Sequence, residues 1–152
     1  QNVTPGYYKN EIETQKAFDK DGWFHTGDIG TLDKNGYLFI KGRCKSMILG
    51  PSGQNIYPEA LEAKLSNLPF ISECLIIEKD SKLVALVYPN FQAMDESNIQ
   101  KEDLPNIMEA NKKQFNQKVA NYEQISEIIL YPNEFEKTPK KNIKRYLYES
   151  HK

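Results

Sequence analysis

The chain has 152 residues, of which 39% are hydrophobic and 27% are charged, a composition typical of an ordinary globular domain. The formal net charge is -1, so no overall field directs the protein toward nucleic acid or anionic lipid. No segment approaches the roughly 20 apolar residues of a transmembrane helix, and the start of the chain lacks the pattern of a signal peptide.

The first part of the chain predicts an exposed arm that contains a β-hairpin. The predicted elements of the arm are a helix over 11–18, a turn at 21–22, and strands over 28–32 and 37–41. The turn between the strands contains Gly36, which can adopt a positive φ without strain. Because this arm precedes the core-forming elements and is rich in glycine and polar residues, we expect it to belong to a different body from the rest of the chain.

The remainder of the chain alternates between strand and helix patterns. The predicted elements are an apolar strand over 47–49, a helix over 58–67, strands over 71–78 and 83–87, a polar connector over 90–98, a helix over 101–120, a strand over 125–131 and a short helix over 143–148. Pro58 suits the first turn of a helix. We predict an α+β fold, with a small mixed sheet flanked by helices and preceded by the β-hairpin arm.

Two residues that bracket the hairpin have the chemistry of a nucleotide site. Asp28 follows a glycine, and one carboxylate can accept both hydrogens of a vicinal diol such as a ribose. Arg43 ends the hairpin and could bind a phosphate or a ribose. Taken alone, each has a simpler interpretation: the aspartate caps a turn, and the arginine pairs with a nearby surface carboxylate.

Two further segments could contact an anion. A glycine loop over 50–53 leads into the helix that starts at Pro58, but it lacks the Gly-Lys-Ser/Thr ending of a phosphate-binding P-loop. The segment 137–145 contains five cations in nine residues. It could bind a phosphate or be a solvated charge run; the acidic net charge and the lack of a nucleic-acid-binding motif argue against nucleic acid.

No metal site is expected from the sequence. His25 and His151 are isolated from each other and from other ligand types, and neither Cys44 nor Cys74 has a neighbour at metal-ligand spacing. Two cysteines are also fewer than a short secreted disulfide scaffold would carry, so a reducing cytoplasm is the expected location.

Several motifs together resemble the adenylate-forming ligases. They are GYYKN at 6–10, DGWFHTGD at 21–28, NGYL at 35–38, GR at 42–43 and GQNIYPE at 53–59. The resemblance is dense from Gly6 to Leu65, thinner through the later strands, and returns over 137–145. It is closest to the long-chain fatty acid:CoA ligase branch.

Enzymes of this family convert a carboxylate and ATP to an acyl-adenylate and then transfer the acyl group to coenzyme A. The resemblance implies that residues 1–43 end a large N-terminal adenylation domain, and that residues 44–152 form a mobile C-terminal lid with its hinge near Lys45. It also implies ATP or AMP, coenzyme A and Mg²⁺ as cofactors, and a fatty acid as the substrate.

The resemblance assigns roles to individual residues. Asp28 would hold the ribose hydroxyls and Arg43 would help to hold the nucleotide. Lys45 would be the hinge, and the loop at Gly53 would line the coenzyme A channel. One lid with two faces can serve both half-reactions, because adenylation needs a cation near the phosphate whereas thioester formation needs room for a thiol.

The sequence departs from the family pattern near its end. The resembled enzymes carry Pro-Lys-Thr, then Gly-Lys and a downstream Arg, and the lysine of the Gly-Lys pair acts in adenylation. Alignment on Arg145 places Asn142 at the lysine position and Lys141 at the glycine position. We expect Lys141 to take the catalytic role by a one-residue shift. The alternatives are that Lys140 or Lys144 reaches the site, or that adenylation is impaired.

Other functions remain compatible with these motifs. The chain could be the lid of another adenylate-forming ligase, such as an aryl-CoA ligase or a peptide-synthetase adenylation domain. It could also be a non-catalytic regulatory module, which Asn142 favours. The phosphate loop and acyl pocket of such enzymes are absent from this sequence, so we expect the fragment alone to be inactive without its N-terminal domain. Peripheral association with a membrane is left open.

Overall fold

The computed structural model describes residues 3–149. The chain divides into two compact units, Gln1–Lys45 and Ser46–Lys152. Within residues 3–149, no helix is long and apolar enough to cross a membrane. His151 lies outside the described residues.

The first unit consists of a short helix and a β-hairpin. Helix α1 (Glu11–Ala17) begins where the Asn10 side chain accepts a hydrogen bond from the Glu13 amide at 3.1 Å. Strands β1 (Asp28–Leu32) and β2 (Leu38–Arg43) pair in antiparallel fashion, with a bulge between Ile29 and Gly30. The predicted helix and hairpin are therefore present, and the second strand extends two residues further than predicted.

The second unit is built on a three-stranded sheet. Its strands are β5 (Ile71–Lys79), β6 (Lys82–Pro89) and β7 (Ile125–Leu130), and a separate small hairpin is formed by β3 (Ile48–Leu49) and β4 (Asn55–Ile56). In the order β5-β6-β7, the first pair is antiparallel and the second is parallel. Asp80 and Ser81 connect β5 to β6 with φ of 50° and 58°, values that match the right-handed twist of a hairpin.

Helices cover one face of this sheet. They are α2 (Pro58–Leu65), α3 (Phe91–Glu96) and α4 (Leu104–Asn116). Their buried side chains, among them Leu61, Met94 and Phe115, share one core cluster with Ile76 and Val87 of the strands. Because side chains alternate along a strand, the next residues of β5 and β6 point to the opposite face.

The C-terminal segment covers that opposite face. Phe135 is buried against Leu75 and Val84, and its ring centroid lies 5.1 Å from that of Tyr131 and 5.0 Å from that of Tyr148. The predicted α+β class with a small mixed sheet is confirmed, with helices on one face and an aromatic coil on the other.

Three predicted elements differ from the structure. The connector predicted over 90–98 contains helix α3, because Asn90 caps it by accepting from the Ala93 amide at 3.1 Å. The helix predicted over 101–120 is shorter: a 3-10 turn precedes it, and it ends where the Asn116 side chain binds the backbone of Ile125. The helix predicted over 143–148 is a 3-10 turn at Arg145–Leu147.

Candidate functional site

The two nucleotide-site candidates of the first unit lie side by side. Asp28 and Arg43 are cross-strand partners at the end of the hairpin, and Arg43 Nε lies 3.0 Å from Asp28 Oδ1. Their side chains are 37% and 61% exposed, so this pair contributes little to stability. Within residues 3–149, Asp28 Oδ2 has no hydrogen-bond partner. An accessible carboxylate oxygen beside a guanidinium can bind a polar ligand.

The backbone next to Asp28 is held by local hydrogen bonds. The Asp28 amide donates to Thr26 Oγ1 at 3.1 Å, and the Cys44 amide donates to the Gly27 carbonyl at 2.8 Å. Gly27 has a φ of 77°, a conformation that favours glycine. The Thr-Gly-Asp sequence therefore forms an ordered turn that fixes the backbone position of Asp28, from which the carboxylate extends.

Lys45 is the last residue of the first unit and lies in a 3-10 turn, Cys44–Ser46. Its side chain is exposed. Together with Arg43, Lys16 and His25 it lines a surface cavity of about 390 Å³ within the first unit. The lining also contains Glu13, whose carboxylate pairs with Lys16 at 2.7 Å, so the cavity has mixed charge.

Gly53 lies in the loop that connects β3 to β4. The Gly53 amide donates to the Gly50 carbonyl at 2.9 Å, and Gly53 has a φ of 81°. A Cβ added at Gly53 would meet no atom within 4 Å, so the backbone conformation favours glycine here even though the space is open. A cavity of about 350 Å³ lies at the base of this loop and is lined by residues that include Gly50, Pro51 and Tyr122.

The basic segment at the end of the chain forms a narrow loop. Lys137 and Ile143 form an antiparallel bridge at its base. At its tip the Thr138 amide donates to the Asn142 carbonyl, and the Lys141 amide donates to the Thr138 carbonyl, each at 2.8 Å. Lys141 has a φ of 62°, the left-handed region in which glycine is least strained. This conformation agrees with the alignment that places Lys141 at the glycine position.

The five cations of this segment differ in their partners. Lys137 pairs with Glu73, Lys144 with Glu136 at 3.1 Å, and Arg145 with Glu62 at 2.7 Å. These contacts raise the pKa values of Lys137 and Lys144, mainly because each lysine donates a hydrogen bond to its glutamate. In the described part of the chain, the exposed Lys140 and Lys141 side chains have no hydrogen bond or ion pair. The loop tip therefore carries two available positive charges and the amide of Asn142.

Sequence reasoning did not identify the carboxylates that hold this loop. Glu62 lies beside the buried Leu61 in α2, and Glu73 lies at an irregularity in β5. Burial raises the pKa of the Glu62 carboxyl, and the nearby Arg145 charge opposes that effect. The available signal was weak: in the sequence, Glu62 is a charged residue next to the apolar position Leu61 of the predicted helix. Across residues 3–149 no group of three or more His, Cys, Asp or Glu side chains could hold a metal ion.

Comparison with known proteins gives a consistent result. The profile of the family described as "AMP-binding enzyme C-terminal domain" matches residues 45–151. A long-chain-fatty-acid–CoA ligase of Mycobacterium tuberculosis is 33% identical over 94% of this chain and 27% of its own length. Long-chain-fatty-acid–CoA ligase 1 of Saccharomyces cerevisiae is 41% identical over 59% of this chain and 13% of its own length. The chain thus spans about a quarter or less of these relatives.

Solved structures show the same fold. The adenylation domain of a carboxylate reductase from Mycobacterium chelonae superposes on 95% of this chain with a TM-score of 0.82 at 22% identity, covering 24% of that protein. A fatty acyl CoA synthetase from Mycobacterium tuberculosis covers 95% of this chain with a TM-score of 0.52 at 26% identity, and 27% of its own chain is matched.

Proposed function

This chain belongs to the family of AMP-binding enzyme C-terminal domains, and we propose that it is the terminal part of an AMP-forming long-chain fatty acid:CoA ligase. Relatives that carry this name are 33% and 41% identical to it. The observation that carries the proposal is the narrow loop over 137–143, which presents the unpaired cations Lys140 and Lys141 on an ordered turn.

The first unit is proposed to bind the nucleotide. The Asp28 carboxylate has an unpartnered oxygen that can accept hydrogen bonds from ribose hydroxyls. The neighbouring Arg43 provides a charge and several donors for the nucleotide. The 3.0 Å contact between Arg43 Nε and Asp28 Oδ1 supports this role, since it orients both side chains before any ligand is present.

Lys141 is proposed to provide the positive charge for adenylation. Attack of the fatty acid carboxylate on the α-phosphate of ATP forms the acyl-adenylate and breaks the bond to the β-phosphate, which releases pyrophosphate. The attack brings two anions together, and a fixed cation lowers the energy of that transition state. Asn142 occupies the usual lysine position but can only donate a hydrogen bond. Lys144 is a weaker candidate because it is already paired with Glu136.

The thioester step is assigned to the other candidates. The exposed loop at Gly53 is proposed to line the coenzyme A channel, which the absence of a side chain at this position supports. Lys45 is proposed as the hinge, and its place as the last residue of the first unit supports this. The domain boundary after Arg43 likewise stays a prediction.

The remaining partners follow from the same proposal. ATP or AMP, coenzyme A and a fatty acid would be the small molecules, and the rest of the adenylation domain would be the protein partner in the same chain. Structural neighbours of this fold contain AMP, which agrees with a nucleotide ligand. Mg²⁺ is proposed as a cofactor of the full-length enzyme only. The two free cysteines agree with a cytoplasmic location.

The test is acyl-CoA formation by the full-length protein with a panel of acids, ATP and coenzyme A. We expect Lys141→Ala to lower the rate of acyl-adenylate formation about 100-fold, because the transition state loses its cation, and to leave thioester formation from preformed acyl-adenylate unchanged. Asn142→Ala and Lys140→Ala are the matched controls from the same loop tip.

Either of two results would contradict the proposal. Equal losses in Lys141→Ala and Lys140→Ala would remove the specific role of Lys141. If the full-length protein makes no acyl-adenylate from any acid, the ligase function fails, and the regulatory module that Asn142 favours becomes the better account.

A further inference from the structure

The loop that carries Lys141 is attached at both of its ends to the same strand. Strand β5 lies at the edge of the sheet: one of its sides pairs with β6, and the other side faces the loop attachments. Lys137, at the start of the loop, contacts Glu73 of β5, and Arg145, just after the loop, contacts the backbone of Ile76. The loop tip between these attachments is only a few residues long, so its freedom of movement depends on them.

The attachment at Arg145 joins three separate elements. Arg145 Nη2 donates to both Glu62 carboxylate oxygens at 2.7 and 2.8 Å, and Arg145 Nη1 donates to the Ile76 carbonyl at 2.8 Å. The Ile76 amide in turn donates to Glu62 Oε1 at 2.6 Å. This closed set of bonds links helix α2, the edge of β5 and Arg145, which lies just after the loop.

The side chains of this attachment are largely shielded from solvent. Arg145 and Glu62 are 14% and 15% exposed. Burial removes hydration from both charges, so a buried ion pair often adds little net stability, although the loss of one partner leaves an unpaired buried charge and is costly. A planar guanidinium that fills several fixed acceptors does, however, restrict geometry strongly. Positional restriction is therefore the main consequence of the pair.

The attachment at Lys137 is a second restraint of the same kind. Glu73 accepts from Lys137 Nζ and also from the Phe135 amide at 3.2 Å. Phe135 is buried in the aromatic cluster on the sheet. The incoming arm of the loop is thus held by a carboxylate of β5, as the outgoing arm is held by Glu62 of α2.

We propose that Glu62 and Arg145 are positioning residues that hold the Lys141 loop in register for adenylation, an inference that rests on the proposed function for its catalytic part. Both side chains are largely shielded from solvent, and their hydrogen bonds are to each other and to the backbone of Ile76 rather than to the loop tip. They act through the loop backbone, and a displacement of about 1 Å in a reacting group can lower a rate about 100-fold. In the proposed function thioester formation does not use the loop cation, so it should not depend on Glu62 and Arg145.

The experiment compares Arg145→Lys and Glu62→Gln in the full-length protein. Lysine retains the positive charge but cannot bridge two carboxylate oxygens and a carbonyl. Glutamine retains one acceptor for the Ile76 amide in nearly the same shape. We expect each variant to lower kcat for acyl-adenylate formation at least about tenfold, with KM for ATP within about twofold. Thioester formation from preformed acyl-adenylate should stay within the same margin.

Met108→Ala is the matched control for lost stability. Met108 is buried in the core of the same unit, on the face of the sheet opposite to the aromatic cluster, and does not contact the loop. It should lower Tm without a selective loss of adenylation. An equal loss of both half-reactions in Arg145→Lys, or a selective loss of adenylation in Met108→Ala, would overturn the positioning role.

A second readout does not depend on catalysis. Trypsin cleaves after Lys140 and Lys141, and it needs the loop to open. We expect cleavage at these two bonds to be faster in Arg145→Lys and Glu62→Gln than in Met108→Ala at equal Tm loss. Unchanged cleavage would overturn the proposal even if the enzyme is active. Faster cleavage in a protein that makes no acyl-adenylate would refute the proposed function and leave the restraint of the loop intact.

Discussion

The two units of the chain bury their apolar residues to very different extents. In the described part of the first unit, residues 3–45, the single fully buried residue is Gly42. Large apolar side chains are exposed there, including Tyr8, Trp23, Leu32 and Ile40. In the second unit both faces of the sheet are covered, and side chains such as Leu65, Ile76 and Phe115 are almost completely buried.

The difference follows from the number of layers in each unit. A two-stranded hairpin exposes both of its faces and is marginally stable on its own. A three-stranded sheet with helices on one face and an aromatic coil on the other contains two cores. The first unit thus has apolar surface that its own residues cannot cover, and the second is self-sufficient.

The sharpest test of this comparison separates the units. We expect residues 46–152 to fold alone and to unfold in one cooperative transition, because their core is internal to the unit. Residues 1–45 alone should show no dispersed amide spectrum. Circular dichroism and NMR of the two pieces measure this. Cooperative unfolding of the 1–45 piece would contradict it.

A smaller effect is expected from truncation of one aromatic residue in each unit. Phe115→Ala should lower the free energy of unfolding of the second unit by about 3–5 kcal/mol, because it removes a buried ring from the core. Trp23→Ala, at a side chain that is 74% exposed, should change it by less than about 0.5 kcal/mol. Urea denaturation measures both, and similar effects would mean that the first unit contributes to the core.

The smallest effect concerns the two thiols. Burial raises the pKa of Cys74 to about 11, whereas Cys44 is exposed. At pH 8 we expect a thiol reagent to label Cys44 rapidly and Cys74 only after unfolding. Because the folded pKa lies above the unfolded one, the stability contribution of the neutral Cys74 thiol is complete below about pH 9 and is lost as the pH rises through about 11. Rapid labelling of Cys74 in the native protein would contradict this.

Local signals predicted much of the secondary structure. The hairpin turn was predictable because Asp33 and Gly36 are typical turn residues, and the structure shows the Asp33 carboxylate accepting from two backbone amides. Helix α3 was missed because it has only six residues, too few to show a helical period. Helix α4 was predicted too long because the apolar pattern continues to Val119, beyond the end of the helix at Asn116. There the Asn116 side chain donates to the Ile125 carbonyl and accepts from the Ile125 amide, a long-range contact that the sequence does not reveal.

The candidate site, too, could be predicted from the sequence only in part. Thr-Gly-Asp and Gly-Arg stand at fixed distances in the sequence, so their chemistry could be proposed without a structure. Their pairing at 3.0 Å depends on the register of the hairpin, which the bulge at Gly30 shifts by one residue.

The sequence by itself determined the family resemblance, the α+β class and the position of the basic segment. Only the tertiary structure decided which cations of this segment are exposed without a partner and which form ion pairs. Arg145 and Glu62 are 83 residues apart in the chain, and Lys137 and Glu73 are 64 apart. Such pairs leave no local pattern in the sequence, because the residues come together only when a helix and the C-terminal segment pack against one edge strand.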